Sequence, residues 1–497
     1  MARTVAPGRA QAVGSGGHRG RVEPGLVLDA GREPAQAGRM GDQGQRQGRR
    51  RASIGPTVAT IAAGREIALT LRPAGCVFVI LCFEGPDRYA LAGGLGSRVS
   101  GLTEALARAG ATTHLYFVGD PGSASREERL DGRLVLHRWG QWISRYYPNG
   151  VYDGENEKLY DFNETVPWDV VGQVAEDAVS SGKRLIVLGE DWHSAEALCR
   201  ISDLLYGRGW RSHATLMWNA NNPMGFDRVN WGRLGYVANL TTVSRYMKHY
   251  MWGLGQNPMV IPNGIPEALV APVPEADIQQ MRAALRPEGA GPLFAKVARW
   301  DPDKRWNMAV WAIGALRREG VQARLLAKGG IEPHQREVFA NAVGLGLSIA
   351  DVRVPERPTV QSLAEALRGA SGADIINLQG YVPTEQLQVL YASSDVVLAN
   401  SGMEPFGLVG LEAMAAGSIV FTGATGEDYA RPLQNAIVLE TDDAGEIARY
   451  WYQLQDNPEL QRHIRGNARQ TATEYTWPAV LSVLFHRLDY LAAASPR

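Results

Sequence analysis

The pattern of apolar and polar positions divides the chain into a stretch with no period and two stretches with the same one. Residues 1–65 mix Gly, Arg, Gln and Pro with few apolar side chains. Such a composition offers too little buriable surface to offset chain entropy, so a disordered extension is expected there. From about Arg72 the pattern turns to strand, Gly-rich turn, helix, strand. "CVFVILCF" (76–83) is a continuous apolar run of strand length, "EGPDRYALAGGLG" (84–96) a loop, "SRVSGLTEALARAG" (97–110) an amphipathic helix ended by Gly110, and "THLYFVG" (113–119) the next strand. This is a βαβ unit of a doubly wound sheet.

The aromatic segment "HRWGQWISRYYPNGVYDGENEKLYDF" (137–162) interrupts the rhythm, which "RLIVLGEDWHSAEAL" (184–198) resumes. After the Pro-rich "PEALVAPVPEAD" (266–277) a second cycle begins. "PLFAKVARW" (292–300), "QARLLAKGG" (322–330), "VVLANS" (396–401) and "SIVFTG" (418–423) read as strands, with helices at "NMAVWAIGALRREG" (307–320), "EQLQVLYASSD" (385–395) and "FGLVGLEAMAAG" (406–417). The expected class is therefore α/β. Two Rossmann-like doubly wound domains, 72–268 and 291–470, face a cleft, with a linker at 269–290 and a C-terminal helix in 471–497 that packs back on the first domain. Ligands of such sheets bind beyond the carboxyl ends of the strands.

Composition changes this picture little. The 497 residues are 45% hydrophobic and 21% charged with a net charge of -1, which gives no global attraction to nucleic acid or anionic lipid. The three cysteines, Cys76, Cys82 and Cys199, match neither a zinc site nor a disulfide framework and read as small core residues in a reducing compartment, the cytosol. No run is long enough to span a bilayer. Oligomeric state is not legible.

Candidate chemistry concentrates in the second cycle. "VARWDPDKRW" places Arg299 at a strand end and Lys304 in the following loop, a cation pair suited to a diphosphate, or else a solvated loop. Its "DPD" lacks further ligands nearby and is not read as a metal site. In "SGMEPFGLVGLEAMAAG" (401–417), Gly407 opens a helix whose amides a ligand can approach. Glu404 lies in the loop before it and Glu412 in its second turn. Acids in an otherwise apolar helix are costly unless something uses them, and sugar hydroxyls are natural donors to both.

The spacing E-x7-E within "EPFGLVGLEAMAAG", after "ARWDPDK" and a strand ending "VVLANS", resembles the retaining glycosyltransferases of the GT-B fold, the group that includes glycogen and starch synthases. "AGGLGSRVSGLTEALARAG", "GEDWHSAEAL", "VSRYMKHYM" and "VIPNGI" match that pattern in order, so the resemblance runs from about Cys76 to Trp477. It implies transfer of a hexose, glucose first among them, from a UDP-, ADP- or GDP-sugar to a sugar or glycan acceptor with retention of configuration. Neither cofactor nor metal is implied, and nucleic acid is not an expected partner.

The resemblance also implies roles. Arg299 and Lys304 hold and stabilise the leaving diphosphate, Glu404 contacts the transferred sugar and Glu412 the nucleotide's ribose. Phe406, Gly407 and Leu408 line the donor, and His193 sits near the sugar. Gly93, Gly94 and the amides after Gly96 approach the phosphates from the first domain. Asn219 and Trp192 lie on the acceptor side. The synthases carry a Lys two residues before the paired glycines, where this chain has Leu91, which opens the question of donor choice. The rival reading is a non-catalytic nucleotide-sugar or glycan binding protein on the same fold. A nicotinamide-dependent oxidoreductase is disfavoured because the glycines of "GGLGSRVSG" are wrongly spaced for a dinucleotide loop.

Overall fold

The structure, a computed structural model, describes residues 71–286, 291–423 and 426–494. The expected disordered extension lies outside these residues. Among the described residues the first domain is built on eight strands: Cys76–Leu81 (β1), Thr112–Val118 (β2), Arg126–Arg129 (β3), Leu134–Trp139 (β4), Arg184–Glu190 (β5), Ala214–Ala220 (β6), Asn239–Thr242 (β7) and Met259–Val260 (β8). Their order is β3-β4-β2-β1-β5-β6-β7-β8, parallel except for β3. β1 is central: Ile80 lies beside Leu115 on one side and Leu188 on the other. Every residue of β1 is buried, as expected for a parallel strand covered by helices on both faces.

The second domain has seven parallel strands: Leu293–Val297 (β9), Arg324–Lys328 (β10), Ile349–Arg353 (β11), Ile375–Gln379 (β12), Val396–Ala399 (β13), Ile419–Thr422 (β14) and Ile437–Val438 (β15). They are ordered β11-β12-β10-β9-β13-β14-β15. In both sheets the chain winds outward from a central strand and then returns to its other side. The switch points therefore fall between β1 and β5, and between β9 and β13.

Two features add to the sequence reading. The aromatic segment begins inside the sheet, since His137 and Trp139 belong to β4, and ends in the helix Glu155–Asp169. Tyr116 stacks on His137 at 4.1 Å, so those rings serve packing. The linker is largely ordered as the helix Glu275–Leu285, which packs on the helices Val360–Arg368 and Thr384–Ser393 of the second domain. Its buried side, Ile278, Met281 and Leu285, explains the attachment.

The helix Trp477–Ala494 returns to the first domain, where Phe485 meets Phe78 edge-on at 5.9 Å. Trp477 packs so closely on Gly101 that an added Cβ there would lie 2.3 Å from the indole nitrogen. The two domains also meet where Asp428, after β14, accepts hydrogen bonds from the Arg245 amide at 2.9 and 3.2 Å. That amide opens the helix Arg245–Trp252, whose cap is Ser244. Among the described residues no helix is long and apolar enough to cross a membrane. All three cysteines are free and buried, and burial pushes the Cys76 and Cys199 thiols up to about 11.

Candidate functional site

Two βα turns build the second domain's half of the site. After β9 the backbone runs through Arg299 into a short turn, Pro302–Lys304, capped by Asp301, whose carboxylate accepts from the Asp303 amide. The "DPD" acids thus shape a turn. Trp306 opens the helix Trp306–Arg318 and donates its indole N–H to the Arg299 carbonyl at 2.7 Å, fixing the strand end. After β13 comes the loop carrying Glu404. The Gly402 amide donates to the Asp303 carbonyl at 2.8 Å and stitches the two turns together.

The result is a contact between residues a hundred positions apart: Lys304 Nζ lies 3.3 Å from Glu404 Oε1. Both side chains keep some exposure, 15% and 28%, so the pair adds no more than about 1 kcal/mol to stability. Its importance is positional. Arg299 is exposed beside it, and its guanidinium makes no ion pair or side-chain hydrogen bond among the described residues.

Gly407 caps the helix Leu408–Ala415 with φ of 81°, a left-handed conformation that a side chain would strain. Tyr429 anchors it, donating its hydroxyl to the Gly407 carbonyl at 2.6 Å. Glu412 lies one turn into this helix. It retains partial exposure, yet protein crowds its carboxyl, and that burial raises it from the ordinary carboxylate range to about 7. No hydrogen bond to this carboxyl is found among the described residues. Phe406 turns its ring into the core against Tyr429 and Tyr475, at 5.7 and 5.9 Å, so only its backbone faces the donor region. Leu408 is half-buried against the same core.

The first domain's half is organised differently. The paired glycines are exposed, and a Cβ built on Gly93 or Gly94 meets nothing within 4 Å. The amides expected to face phosphate are not all free, however. Glu84, buried at the end of the first strand's run, accepts hydrogen bonds from Gly93 and Gly96 at 3.0 Å and from Ala92 at 3.3 Å. Its other oxygen accepts from the Tyr152 hydroxyl at 2.6 Å. An internal carboxylate therefore fills the anion cradle at the start of the helix Gly94–Arg108. Leu91 stands exposed beside it.

His193 follows β5 on a short turn, Trp192–Ser194, that starts from a strained residue. Asp191 has φ 57° and ψ 176°, a region nearly restricted to glycine. Surrounding bonds over-determine it. Its carboxylate accepts from the Asn221 amide and the Asn222 side chain, each at 2.7 Å, and its carbonyl accepts from the Trp218 indole at 2.9 Å. Burial lifts the Asp191 carboxyl to about 7.

The His193 ring is held between Trp192 at 3.8 Å and Phe83 at 4.3 Å, with Nε2 2.8 Å from Glu155 Oε1. Burial outweighs that carboxylate and lowers the imidazole to about 4, so the ring is neutral near pH 7. With Nε2 donating to the Glu155 carboxylate, Nδ1 is left as a buried acceptor with no hydrogen-bond partner among the described residues.

Two expected acceptor-side residues are not brought to the cleft in usable form. Asn219 is fully buried in β6, its amide donating to Glu190 Oε2 and accepting from Thr241, both at 2.9 Å. Glu190 in turn pairs with buried Arg98 at 3.2 Å, so Asn219 belongs to the polar floor beneath the strand ends. Trp192 has one face on His193 and the guanidinium of Arg228 over its ring at 3.9 Å, which leaves little surface for a sugar to stack on. Of the aromatic segment, Trp142, Tyr146, Tyr152 and Tyr160 stay exposed.

Glu84, Asp191 and Glu155 were missed by the sequence reading. Glu84 carries one signal, an acid between an apolar strand and a glycine loop; the other two depend on contacts across the fold.

Apart from Glu155, which follows β4, and Asn219, which lies in β6, the site residues follow one of four strands, β1, β5, β9 or β13, the pairs that flank the two switch points. This is the GT-B fold. Solved structures share it over most of their length. A sucrose-phosphate synthase from Thermosynechococcus elongatus aligns with a TM-score of 0.59 at 20% identity, covering 84% of this chain and 99% of its own. The catalytic domain of starch synthase IV from Arabidopsis thaliana, bound to ADP and acarbose, gives 0.60 at 16% identity over 84% and 99%.

Residues 277–471 match the family described as glycosyl transferases group 1. Among curated relatives, the D-inositol 3-phosphate glycosyltransferase of Thermobispora bispora is 26% identical over 195 residues, 34% of this chain and 44% of the relative. An uncharacterized glycosyltransferase of Methanocaldococcus jannaschii is 51% identical over 101 residues, 20% and 26% of the two chains. The chain spans less than half the length of these curated relatives.

Proposed function

We propose that the chain is a retaining glycosyltransferase that moves a hexose, glucose in the first instance, from a nucleoside-diphosphate sugar to a sugar or glycan acceptor. The observation that carries this reading is the contact of Lys304 with Glu404 at 3.3 Å, which joins the loops that follow β9 and β13, the strands flanking a switch point. Two cations there meet a diphosphate. As the bond from the anomeric carbon to phosphate breaks, charge grows on the leaving oxygen, and cations fixed in advance stabilise it without reorganisation. Lys304 exchanges Glu404 for phosphate, freeing Glu404 to accept from sugar hydroxyls. Glu412, otherwise unpartnered, accepts from the ribose.

On the opposite side, neutral His193 offers Nδ1 to a hydroxyl of the transferred sugar. The acceptor's proton passes to the departing phosphate oxygen on the same face, so the mechanism requires no protein nucleophile. The resemblance to starch synthase, a protein that holds ADP and acarbose, supports the same class of donor and acceptor here.

The test is to offer the full chain UDP-, ADP- and GDP-glucose with a panel of sugar acceptors, measure the diphosphate released, and read the product's anomeric configuration by proton NMR. Release of one nucleoside diphosphate with an α-linked product from an α-linked donor is expected. A β-linked product would overturn retention, nucleotide binding without turnover would favour the binding-protein reading, and no nucleotide binding would sink both.

A further inference from the structure

One charged group beneath the donor site is used by no step above. Lys296 is the fourth of the five residues of β9, with only 1% of its surface exposed. Its Nζ donates to Asn400 Oδ1 at 2.5 Å and approaches the Leu398 carbonyl at 3.5 Å, both neutral acceptors, and lies 5.2 Å from the centre of the Trp306 ring. No carboxylate pairs with it among the described residues. A buried ammonium in such a setting lacks the partner that ordinarily compensates its lost hydration.

Its neighbours tie it to the site. Asn400 begins the loop that delivers Glu404, and its amide also reaches Met308 Sδ at 3.5 Å. Trp306 holds the Arg299 carbonyl. The charges that act on Lys296 are Glu404, which favours its cation, and Lys304 and Arg305, which oppose it. Lys304 is paired with Glu404 and Arg305 with Asp442. Across β10 it faces Ala327, which carries no charge.

We propose that Lys296 is an internal counter-charge for the donor's diphosphate: its amine takes up a proton from solvent as the diphosphate binds and releases it as the nucleotide leaves. The inference rests on the donor reading above. Two changes on binding act in the same direction. The diphosphate adds negative charge near the site, and by drawing Lys304 toward itself it frees the charge of Glu404 to act on Lys296. Burial, the largest influence, together with the charges of Glu404, Lys304 and Arg305 brings the amine down to about 7, so a modest change in field is enough to protonate it at neutral pH. Lys296 is thus a positioning residue, gripping Asn400 and the Glu404 loop most firmly when the donor is present.

The test is calorimetric titration of the full chain with UDP-, ADP- and GDP-glucose in HEPES and in Tris at pH 7.5, whose different ionisation heats report protons exchanged. A nucleotide sugar is the right probe because its diphosphate has no group of its own titrating near neutrality. The wild type should take up more than about half a proton per donor bound. Lys296→Met should abolish the uptake and weaken donor binding severalfold, whereas Glu412→Gln should retain the uptake. If Lys296→Met fails to fold, the double variant Lys296→Met/Asn400→Leu removes both polar partners and carries the same expectation. Uptake that persists without Lys296, or heats that do not depend on buffer in the wild type, would overturn the inference while leaving the donor reading intact. If none of the three nucleotide sugars binds, the donor reading falls and takes this inference with it.

Discussion

The two halves of the cleft use opposite electrostatic designs. In the first domain the charged groups nearest the site are answered internally: Glu84 by three amides and a tyrosine, Arg98 by Glu190, Asp191 by two asparagines. What that half leaves without a hydrogen-bond partner among the described residues is a neutral, buried acceptor, Nδ1 of His193. In the second domain the balance is reversed. Among the described residues Arg299 has no ion pair or side-chain hydrogen bond and Glu412 no hydrogen-bond partner, while Lys304 and Glu404 share one solvent-reached bridge. A half that leaves charge unanswered is prepared for a charged ligand, and a half that answers its own charge is prepared for hydroxyls. On the proposed function, diphosphate goes to the one and sugar to the other.

The sharpest way to break this contrast is to remove its charges one by one. Lys304→Ala and Glu404→Gln should each lower turnover by roughly two to three orders of magnitude with the fold intact, measured as diphosphate release and circular dichroism. Equal losses from surface variants distant from the site would refute the assignment. Glu412→Gln should raise the donor KM by about ten- to a hundredfold, the scale of losing a hydrogen bond to a charged group.

The same residue supplies a stability test. Its folded-state pKa is raised, so the native protein holds a proton there that the unfolded chain has lost between about pH 4.5 and 7. Stability falls as pH rises through that window, and the full penalty applies above it. Glu412→Gln should therefore raise the Tm at pH 8 and not at pH 4. Lys296 has the opposite sign. Its folded pKa is depressed from 10.5 to about 7, so the penalty is full below 7 and is relieved as pH rises toward 10.5. Lys296→Met should raise the Tm most at pH 6 and least at pH 10.

In the first domain smaller effects are expected. Glu84→Ala leaves three amides without their acceptor and should cost about 1–3 kcal/mol in chemical denaturation. Because His193 is lowered to about 4, the pH profile of kcat/KM should show no histidine limb near 6.5. A limb there that disappears in His193→Asn would mean the ring is charged at work and the contrast is wrong.

How much of this was legible beforehand follows the range of the interactions. Gly407 and its helix were readable because a glycine opening an apolar helix is a local signal, and the structure gives it φ of 81°. The strand ends bearing Arg299 and Glu404 were readable from the same local rhythm. Asn219 misled because a parallel strand is covered on both faces, so nothing in "WNAN" says which polar side chain reaches the surface. β4 was hidden because its aromatic residues resemble an insertion as much as a strand. Lys296 was passed over because one polar residue in "LFAKV" reads as ordinary alternation, and only the burial of both faces exposes its cost. Glu84 needed the glycine loop to fold back on the strand that precedes it, a contact of eight to twelve residues that no periodicity encodes.

The contrast between the halves is tested most directly by the affinity of a nucleoside diphosphate without its sugar, taking whichever of UDP, ADP and GDP the wild type binds. Arg299→Ala should weaken that binding at least tenfold, whereas His193→Ala should leave it within about twofold, because the proposed function puts the diphosphate on the second domain and the sugar at His193. Equal weakening by both variants, or none by Arg299→Ala, would contradict the account.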